Sequence, residues 1–152
     1  MKEIKETCYK GTRILVGNEK RAMINKMIDI LIADNFTEIQ VPMIQFQETF
    51  DGKVGAENNN MMYNFTDRGN RNICLPPEIT AVVQKLSKTT YNREKDVKLF
   101  YVAQCFRGEK PQQGRYREFT QLGIEILNPS IDYDNYLLEL AKTLMNTVTT
   151  NY

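Results

Sequence analysis

Residues 105–127 read CFRGEKPQQGRYREFTQLGIEIL. Apolar runs flank a charged loop in this region, which predicts a hairpin of two antiparallel strands over about residues 97–127. Successive side chains on a strand point to opposite faces of the sheet. Each strand of the hairpin therefore has an odd-numbered and an even-numbered face, and the two faces differ in chemistry.

The even-numbered face of the second strand is apolar after Thr120, and we expect it to lie against the core. The odd-numbered face carries an arginine, an aromatic ring, an amide, a glycine and a carboxylate: Arg117, Phe119, Gln121, Gly123 and Glu125. On the first strand, Arg107 and Glu109 share this face. Buried charges are costly unless paired, so the row predicts the floor of a pocket for a polar ligand. The alternative is a solvent-exposed sheet face, on which polar and apolar residues commonly alternate.

These residue types suit a nucleotide and an amine. Arginine offers a planar fork for phosphate or carboxylate oxygens, and Phe119 offers a flat surface for a purine. Gln121 with Glu125 can hold an amine or a ring N–H. The phosphate-binding patterns G-x-x-x-x-G-K-[ST] and G-x-G-x-x-G do not occur, so no rival nucleotide motif competes with the hairpin.

Composition predicts one soluble domain over residues 1–152, with 41% hydrophobic and 26% charged residues. A net charge of +1 gives no overall attraction to nucleic acid or a membrane surface. The apolar run at 27–33 is too short to span a bilayer and no signal-peptide pattern is present, so we expect a cytoplasmic protein without membrane contact. No metal site is expected, because three cysteines lack ligand spacing and histidine is absent.

The flanking sequence predicts the remaining elements. An apolar stripe indicates a helix over 18–34 with Asn18 as N-cap and Asn35 in the left-handed position that follows. A strand over 36–44, stopped by Pro42, precedes a mobile polar loop at 47–60. A second hairpin over 62–75 turns at 67–70, and Pro77 suits the first position of a helix whose apolar face starts at Ile79.

An amphipathic helix over about 134–149 follows the main hairpin. The order is helix, strand, hairpin, helix, hairpin and helix. Strands and crossover helices do not alternate regularly, so the pattern favours the α+β class, with an antiparallel sheet flanked by helices.

The segment FRGEKPQQGRYREFTQLGIEIL closely resembles motif 2 of class II aminoacyl-tRNA synthetases. Its form is the one typical of histidyl-tRNA synthetase, Phe-Arg-x-Glu-(Arg/Lys)-Pro-Gln-x-Gly-Arg-Tyr-Arg-x-Phe-x-Gln. Earlier segments agree in order. KGTRILVGNE resembles the N-terminal Arg-Gly-Thr-Arg-Asp element, FTEIQVPMIQFQETF resembles motif 1, and YNFTDRGNRNICLPPEITA resembles the hairpin that leads into Arg-Pro-Glu-Gly-Thr. The resemblance covers roughly residues 9–148 and implies a class II synthetase-like core.

The resemblance also implies roles for the matching residues. Arg107 would be catalytic, contacting the α-phosphate of ATP and the amino-acid carboxylate. Glu109 would lie on the adenine side, Phe119 would stack on adenine, and Arg115 and Arg117 would lie near the phosphates. The amino-acid side would be lined by Glu78, Thr80, Gln121 and Glu125. ATP would enter with Mg²⁺, and catalysis would consist mainly of positioning two substrates and stabilising charge.

Two departures from the family pattern limit what the resemblance implies. Pro76 and Ile79 stand where the family has the Arg and the Gly of Arg-Pro-Glu-Gly-Thr. Motif 3 and the anticodon-binding domain do not follow within the 152 residues. We therefore expect a truncated core that binds ATP, and histidine or a related amino acid, without complete aminoacylation. The alternative is a non-catalytic dimeric regulatory or accessory protein on the same fold.

Motif 1 builds a dimer interface in the family, so the resemblance implies a homodimer through residues 18–50. A protein partner that completes the domain, or is regulated by it, is a further expectation. Binding of tRNA has less support, because the basic residues outside the hairpin are scattered: Lys20, Arg21, Lys26, Lys85, Lys88 and Arg93.

Overall fold

A computed structural model of the protein describes residues 17–52, 61–110 and 114–148. Its helices are α1 (Glu19–Ala33), α2 (Thr80–Lys88) and α3 (Asp134–Met145), with a 3-10 turn at Gln47–Thr49. Its strands are β1 (Thr37–Glu38), β2 (Gln45–Phe46), β3 (Asn64–Thr66), β4 (Asn72–Cys74), β5 (Val97–Phe106) and β6 (Glu118–Leu127).

The strands form two sheets, with the orders β1-β5-β6 and β2-β4-β3. The long strands β5 and β6 pair antiparallel from Val97 opposite Leu127 to Phe106 opposite Glu118. β1 adds to β5 in parallel, so the larger sheet is mixed. The predicted α+β class and the hairpin at its centre are confirmed.

The two faces of the hairpin meet different helices. The even-numbered face, including Phe100, packs against α1 and α3 through buried Leu31, Leu140 and Leu144. This is the predicted core face. The odd-numbered face of β5 is also buried, because α2 covers it with apolar side chains; Leu99, Tyr101, Cys105, Ile79 and Val83 form this second cluster. The apolar residues of this face are covered by α2 and cannot form the predicted pocket floor. Only the polar residues of the face are left for that role.

Several predicted boundaries were wrong. The strand expected over 36–44 is only Thr37–Glu38. The Ile39 N–H still donates to the Phe100 carbonyl, but the chain then leaves the sheet. Pro42 follows and has no N–H with which to continue the pairing. Helix α2 begins at Thr80, not at Pro77. The last helix ends at Met145, and position 149 lies outside the described residues.

The conformation of Asn35 and the turn of the second hairpin were predicted correctly. Asn35 has a φ of 62°, the left-handed conformation expected after α1, while Asn18 precedes the helix without a side-chain capping bond. In the second hairpin, Asp67 closes the turn by accepting the backbone N–H of Gly69 and of Arg71. The polar loop predicted over 47–60 begins as a 3-10 turn, and its positions 53–60 lie outside the described residues.

Over residues 17–52, 61–110 and 114–148, no helix is both long and apolar enough to cross a membrane.

Candidate functional site

Arg107 follows β5 directly and is held from two sides. Its Nε donates a hydrogen bond to the Pro77 carbonyl over 2.9 Å, and its guanidinium carbon lies 5.1 Å from the centre of the Phe119 ring. A cation over an aromatic face is an attractive arrangement. The proline carbonyl and the ring together orient the guanidinium, whose remaining N–H groups can bind phosphate or carboxylate oxygens.

The charged residues beyond Arg107 form a second group at the open end of the hairpin. Arg115 Nη1 lies 3.5 Å from Glu109 Oε2, and the Arg117 Nε donates to the Glu109 carbonyl over 3.2 Å. The Arg107 N–H donates to the Arg117 carbonyl, which extends the strand pairing beyond β5. Glu109 therefore connects Arg115 and Arg117, the two arginines for which the family resemblance implies a place near the phosphates.

A pair of carboxylates lies further along the same face. Burial raises the pKa of Glu125, a hydrogen bond with Thr80 opposes this shift, and the nearby Glu78 carboxylate adds to it. Glu78 Oε1 also accepts the Ala81 N–H over 3.0 Å, which satisfies a free donor at the start of α2. No lysine or arginine among the described residues forms an ion pair with either carboxylate. Two acidic groups and a hydroxyl form a site that favours a cation.

Two residues that were not predicted as site residues complete the face. Tyr101 is 1% exposed, and burial raises the pKa of its hydroxyl to about 12, against an opposing hydrogen bond with Thr80. The Cys105 thiol donates to Gln121 Oε1 over an Sγ–Oε1 distance of 3.0 Å. Both residues share the odd-numbered face of β5 with Arg107, and this shared face is the one signal in the sequence that pointed to them.

The structure thus places Arg107, Phe119, Gln121 and Glu125 on one face of the hairpin, next to Glu78 and Thr80 at the start of α2. Glu109, Arg115 and Arg117 form a separate group at the open end of the hairpin. Arg107 and Phe119 lie toward the open end, and the Glu78, Thr80 and Glu125 group lies toward the covered end, with Gln121 between them on β6. An open cleft of about 380 Å³ lies elsewhere, beside β2 and β4. None of the predicted site residues lines that cleft.

Within the described residues, no group of three or more His, Cys, Asp or Glu side chains could hold a metal ion.

Residues 17–151 match the family profile described as histidyl-tRNA synthetase. The histidine–tRNA ligase of Methanococcus aeolicus is 41% identical over 150 residues, which is 94% of this chain and 35% of that protein. The ligase of Mycoplasma mycoides is 38% identical over 128 residues, covering 80% of this chain and 31% of the relative. The chain thus spans about a third of the length of these relatives.

Solved structures agree with the fold. Apo histidyl-tRNA synthetase of S. aureus superimposes with a TM-score of 0.71 at 26% identity, over 98% of this chain and 35% of that one. An ATP phosphoribosyltransferase regulatory subunit/histidyl-tRNA synthetase from Bacillus halodurans has a TM-score of 0.77 at 19% identity, over 96% and 40% of the two chains. The latter likeness concerns the fold alone. The match over nearly the whole chain shows that this protein belongs to the histidyl-tRNA synthetase family.

Proposed function

We propose that the protein binds ATP with Mg²⁺, together with histidine or a related amino acid, on the odd-numbered face of the β5–β6 hairpin. The observation that carries the proposal is the order of groups along this face. The guanidinium of Arg107 and the ring of Phe119 lie at one end, and the Glu78–Glu125 pair lies at the other. A nucleotide needs the first pair and an amino-acid cation needs the second.

The arrangement suits the first half of a synthetase reaction. A carboxylate oxygen of the amino acid would attack the α-phosphorus of ATP, forming the aminoacyl adenylate and releasing pyrophosphate. Arg107 would neutralise charge on both the carboxylate and the α-phosphate, and this bridging would hold the reacting oxygen and phosphorus together. Glu78 and Glu125 would hold the ammonium or the ring N–H of the amino acid, and Phe119 would support the adenine.

The related proteins of Methanococcus aeolicus and Mycoplasma mycoides are histidine–tRNA ligases, which supports this choice of substrates. Because the chain spans about a third of their length, the proposal covers ligand binding and extends to adenylate formation only as a second step. Complete aminoacylation of tRNA is not part of it.

Calorimetric titration tests the proposal. We expect saturable binding of ATP with Mg²⁺, strengthened by histidine, and loss of this binding in Arg107→Ala. Arg93→Ala is the matched control. Arg93 is an exposed arginine in the loop before β5, so its substitution removes the same charge away from the proposed site. Equal binding by both variants, or no binding by the wild type at millimolar ATP, would rule out a nucleotide site on this face.

A second candidate, a non-catalytic regulatory or accessory protein, is favoured by one observation. Ile79 is fully buried against β5, and Pro76 is also buried, at the two positions where the family pattern has Gly and Arg. Apolar packing at these positions removes a charge from the amino-acid side. Failure to bind any amino acid while retaining a stable fold would support this candidate.

The homodimer and the cytoplasmic location belong to the same proposal. Large apolar side chains are exposed within the motif 1 region: Ile32, Met43, Ile44 and Phe46 are 47–56% accessible. Exposed large apolar side chains can mark a contact surface for another protein. A second copy of the chain is the partner that the dimeric architecture of the family suggests.

A further inference from the structure

The side-chain amide of Gln121 has a defined orientation, and a cysteine sets it. Cys105 lies opposite Phe119 and Gln121 lies opposite Ala103, so the two side chains are diagonal neighbours on the odd-numbered face. The thiol donates to Gln121 Oε1 over 3.0 Å. The oxygen end of the amide is therefore occupied by a group of the protein.

The thiol acts as a donor throughout the physiological range. Cys105 is fully buried, and burial raises the pKa of its thiol to about 11, although Arg107 opposes the shift. At neutral pH the group is S–H, a hydrogen-bond donor. A carboxamide has an acceptor end and a donor end, so a thiol that binds the oxygen determines the direction of the nitrogen.

The nitrogen end remains available to a ligand. Among the described residues, Gln121 Nε2 donates to no acceptor, whereas Oε1 accepts from the thiol. In the planar carboxamide, Oε1 and Nε2 are bonded to the same carbon and point in different directions, so Nε2 points away from the thiol that Oε1 faces. Gln121 is partly exposed and lies between the Arg107 end and the Glu125 end of the face.

We propose that Cys105 is a positioning residue that holds the nitrogen of Gln121 toward the ligand, so that Gln121 donates to the carboxylate of the bound amino acid. This inference rests on the proposed function and deepens it. The sequence suggested that Gln121, like Glu125, accepts from an amine. The geometry instead separates the roles: Glu78 and Glu125 receive the cation, and Gln121 joins Arg107 in binding the carboxylate.

Paired substitutions test the inference. Cys105→Ser keeps a hydroxyl donor, and Cys105→Ala removes the donor. Cys74→Ser and Cys74→Ala make the same changes at the other buried free cysteine of the described region, which packs in a separate cluster with Phe50 and Ala81. Binding of histidine, and of histamine, which lacks the carboxylate, is measured by calorimetry in the presence of ATP and Mg²⁺.

We expect Cys105→Ala to weaken histidine binding on the order of three- to tenfold, the value of one hydrogen bond, and to leave histamine binding unchanged. Cys105→Ser and both Cys74 variants should bind both ligands like the wild type. Equal losses in Cys105→Ser and Cys105→Ala, or equal losses for histidine and histamine, overturn the inference.

A second variant keeps the test decisive if Cys105→Ala does not fold. Gln121→Glu replaces the donor with a carboxylate. We expect it to weaken histidine more than histamine, because the new charge repels the ligand carboxylate. If Gln121 normally accepts from the ammonium, the same variant strengthens binding of both ligands, and the inference is wrong.

Nitrogen-edited NOE spectra of the ligand-free protein separate this inference from the proposed function. The contact between the Gln121 amide protons and the Cβ protons of residue 105 should be weaker in the wild type and Cys105→Ser than in Cys105→Ala. A contact in the wild type as strong as that in Cys105→Ala overturns the orientation. A wild type that binds neither ligand overturns the proposed function and the carboxylate assignment, while the spectra still decide how the amide is oriented.

Discussion

The ring of Tyr101 lies across Gly123, the residue opposite it on the neighbouring strand. A Cβ built on Gly123 would collide with Cζ and Oη of the tyrosine and would lie 2.8 Å from Cε1. Tyr101 is fully enclosed, so its ring has little space into which to move. Because Gly123 has no side chain, the ring of Tyr101 on β5 occupies the space at its position on β6.

Gly123→Ala should destabilise the protein by roughly 1–3 kcal/mol, because an added methyl group must displace a buried ring. The free energy of unfolding in urea measures this loss. In a Tyr101→Leu background, where the ring is absent, the same change should cost less. Equal costs in the two backgrounds would show that Tyr101 is not the obstacle.

Glu125→Gln should change how stability depends on pH. The pKa of Glu125 in the folded protein lies above its ordinary value of 4.5, so the folded state retains a proton that the unfolded state has released. Stability therefore falls as pH rises from 4.5 through the folded-state pKa. The glutamine variant lacks this loss, and its gain over the wild type should grow toward neutral pH.

Urea unfolding of wild type and Glu125→Gln on both sides of that interval measures the effect. Glu118→Gln, an exposed carboxylate at the start of β6, is the control. A stability difference between Glu125→Gln and wild type that stays constant with pH would contradict the linkage.

Lys98→Met should cost about 1–3 kcal/mol of stability, because it removes a hydrogen-bonded charge between three elements. Lys98 Nζ donates to the Tyr136 hydroxyl over 2.7 Å and forms an ion pair of 3.5 Å with Asp34, while Tyr136 also donates to Asp34. This group joins β5 to α3 and to the end of α1.

Lys142→Met is the matched control for Lys98→Met. Its partner Glu139 is one turn away on α3, and both side chains are exposed, so the loss should stay below about 1 kcal/mol. Thermal unfolding of the two variants compares them directly. Similar losses of stability would indicate that the hydrogen bonds and ion pair of Lys98 stabilise the protein no more than an exposed ion pair does.

Phe119→Leu should weaken ATP binding on the order of tenfold, the value of stacking on one base, whereas Phe119→Tyr should retain it. Inorganic triphosphate, which has no base, separates stacking from the effect on Arg107. Calorimetry with both ligands should show a larger loss for ATP. An equal loss for triphosphate would mean that the ring serves only to hold the Arg107 guanidinium.

Ile44→Glu should convert a dimer into a monomer, because it places a charge among the exposed apolar residues of the motif 1 region. Sedimentation velocity measures the change. Leu138→Glu is the control, since Leu138 on α3 is 60% exposed and Ile44 is 56% exposed, but Leu138 lies outside that region. A wild type that sediments as a monomer would remove the dimer from the proposal.

Local patterns in the sequence were enough to predict most elements, but not their ends. Two-residue alternation on the main hairpin correctly assigned which side chains share a face, because that follows from backbone geometry alone. The strand after α1 was predicted too long, because its length depends on how many of its residues pair with β5, and only Thr37 and Glu38 do so. Helix α2 starts late because the Glu78 side chain caps the Ala81 N–H, a contact that proline statistics do not reveal.

The sequence by itself determined the family, the α+β class and the row Arg117, Phe119, Gln121, Gly123, Glu125, since these depend on the order of residues along one segment. Only the tertiary structure decided that Arg107 lies on Phe119, that Tyr101 fills the space at Gly123 and that Cys105 donates to Gln121. Each of these contacts joins the two sides of the main hairpin. The strand register decides which side chains face each other, and packing of α2 on that face buries them. Residues that are distant along the chain acquire these roles only when pairing and packing bring them together.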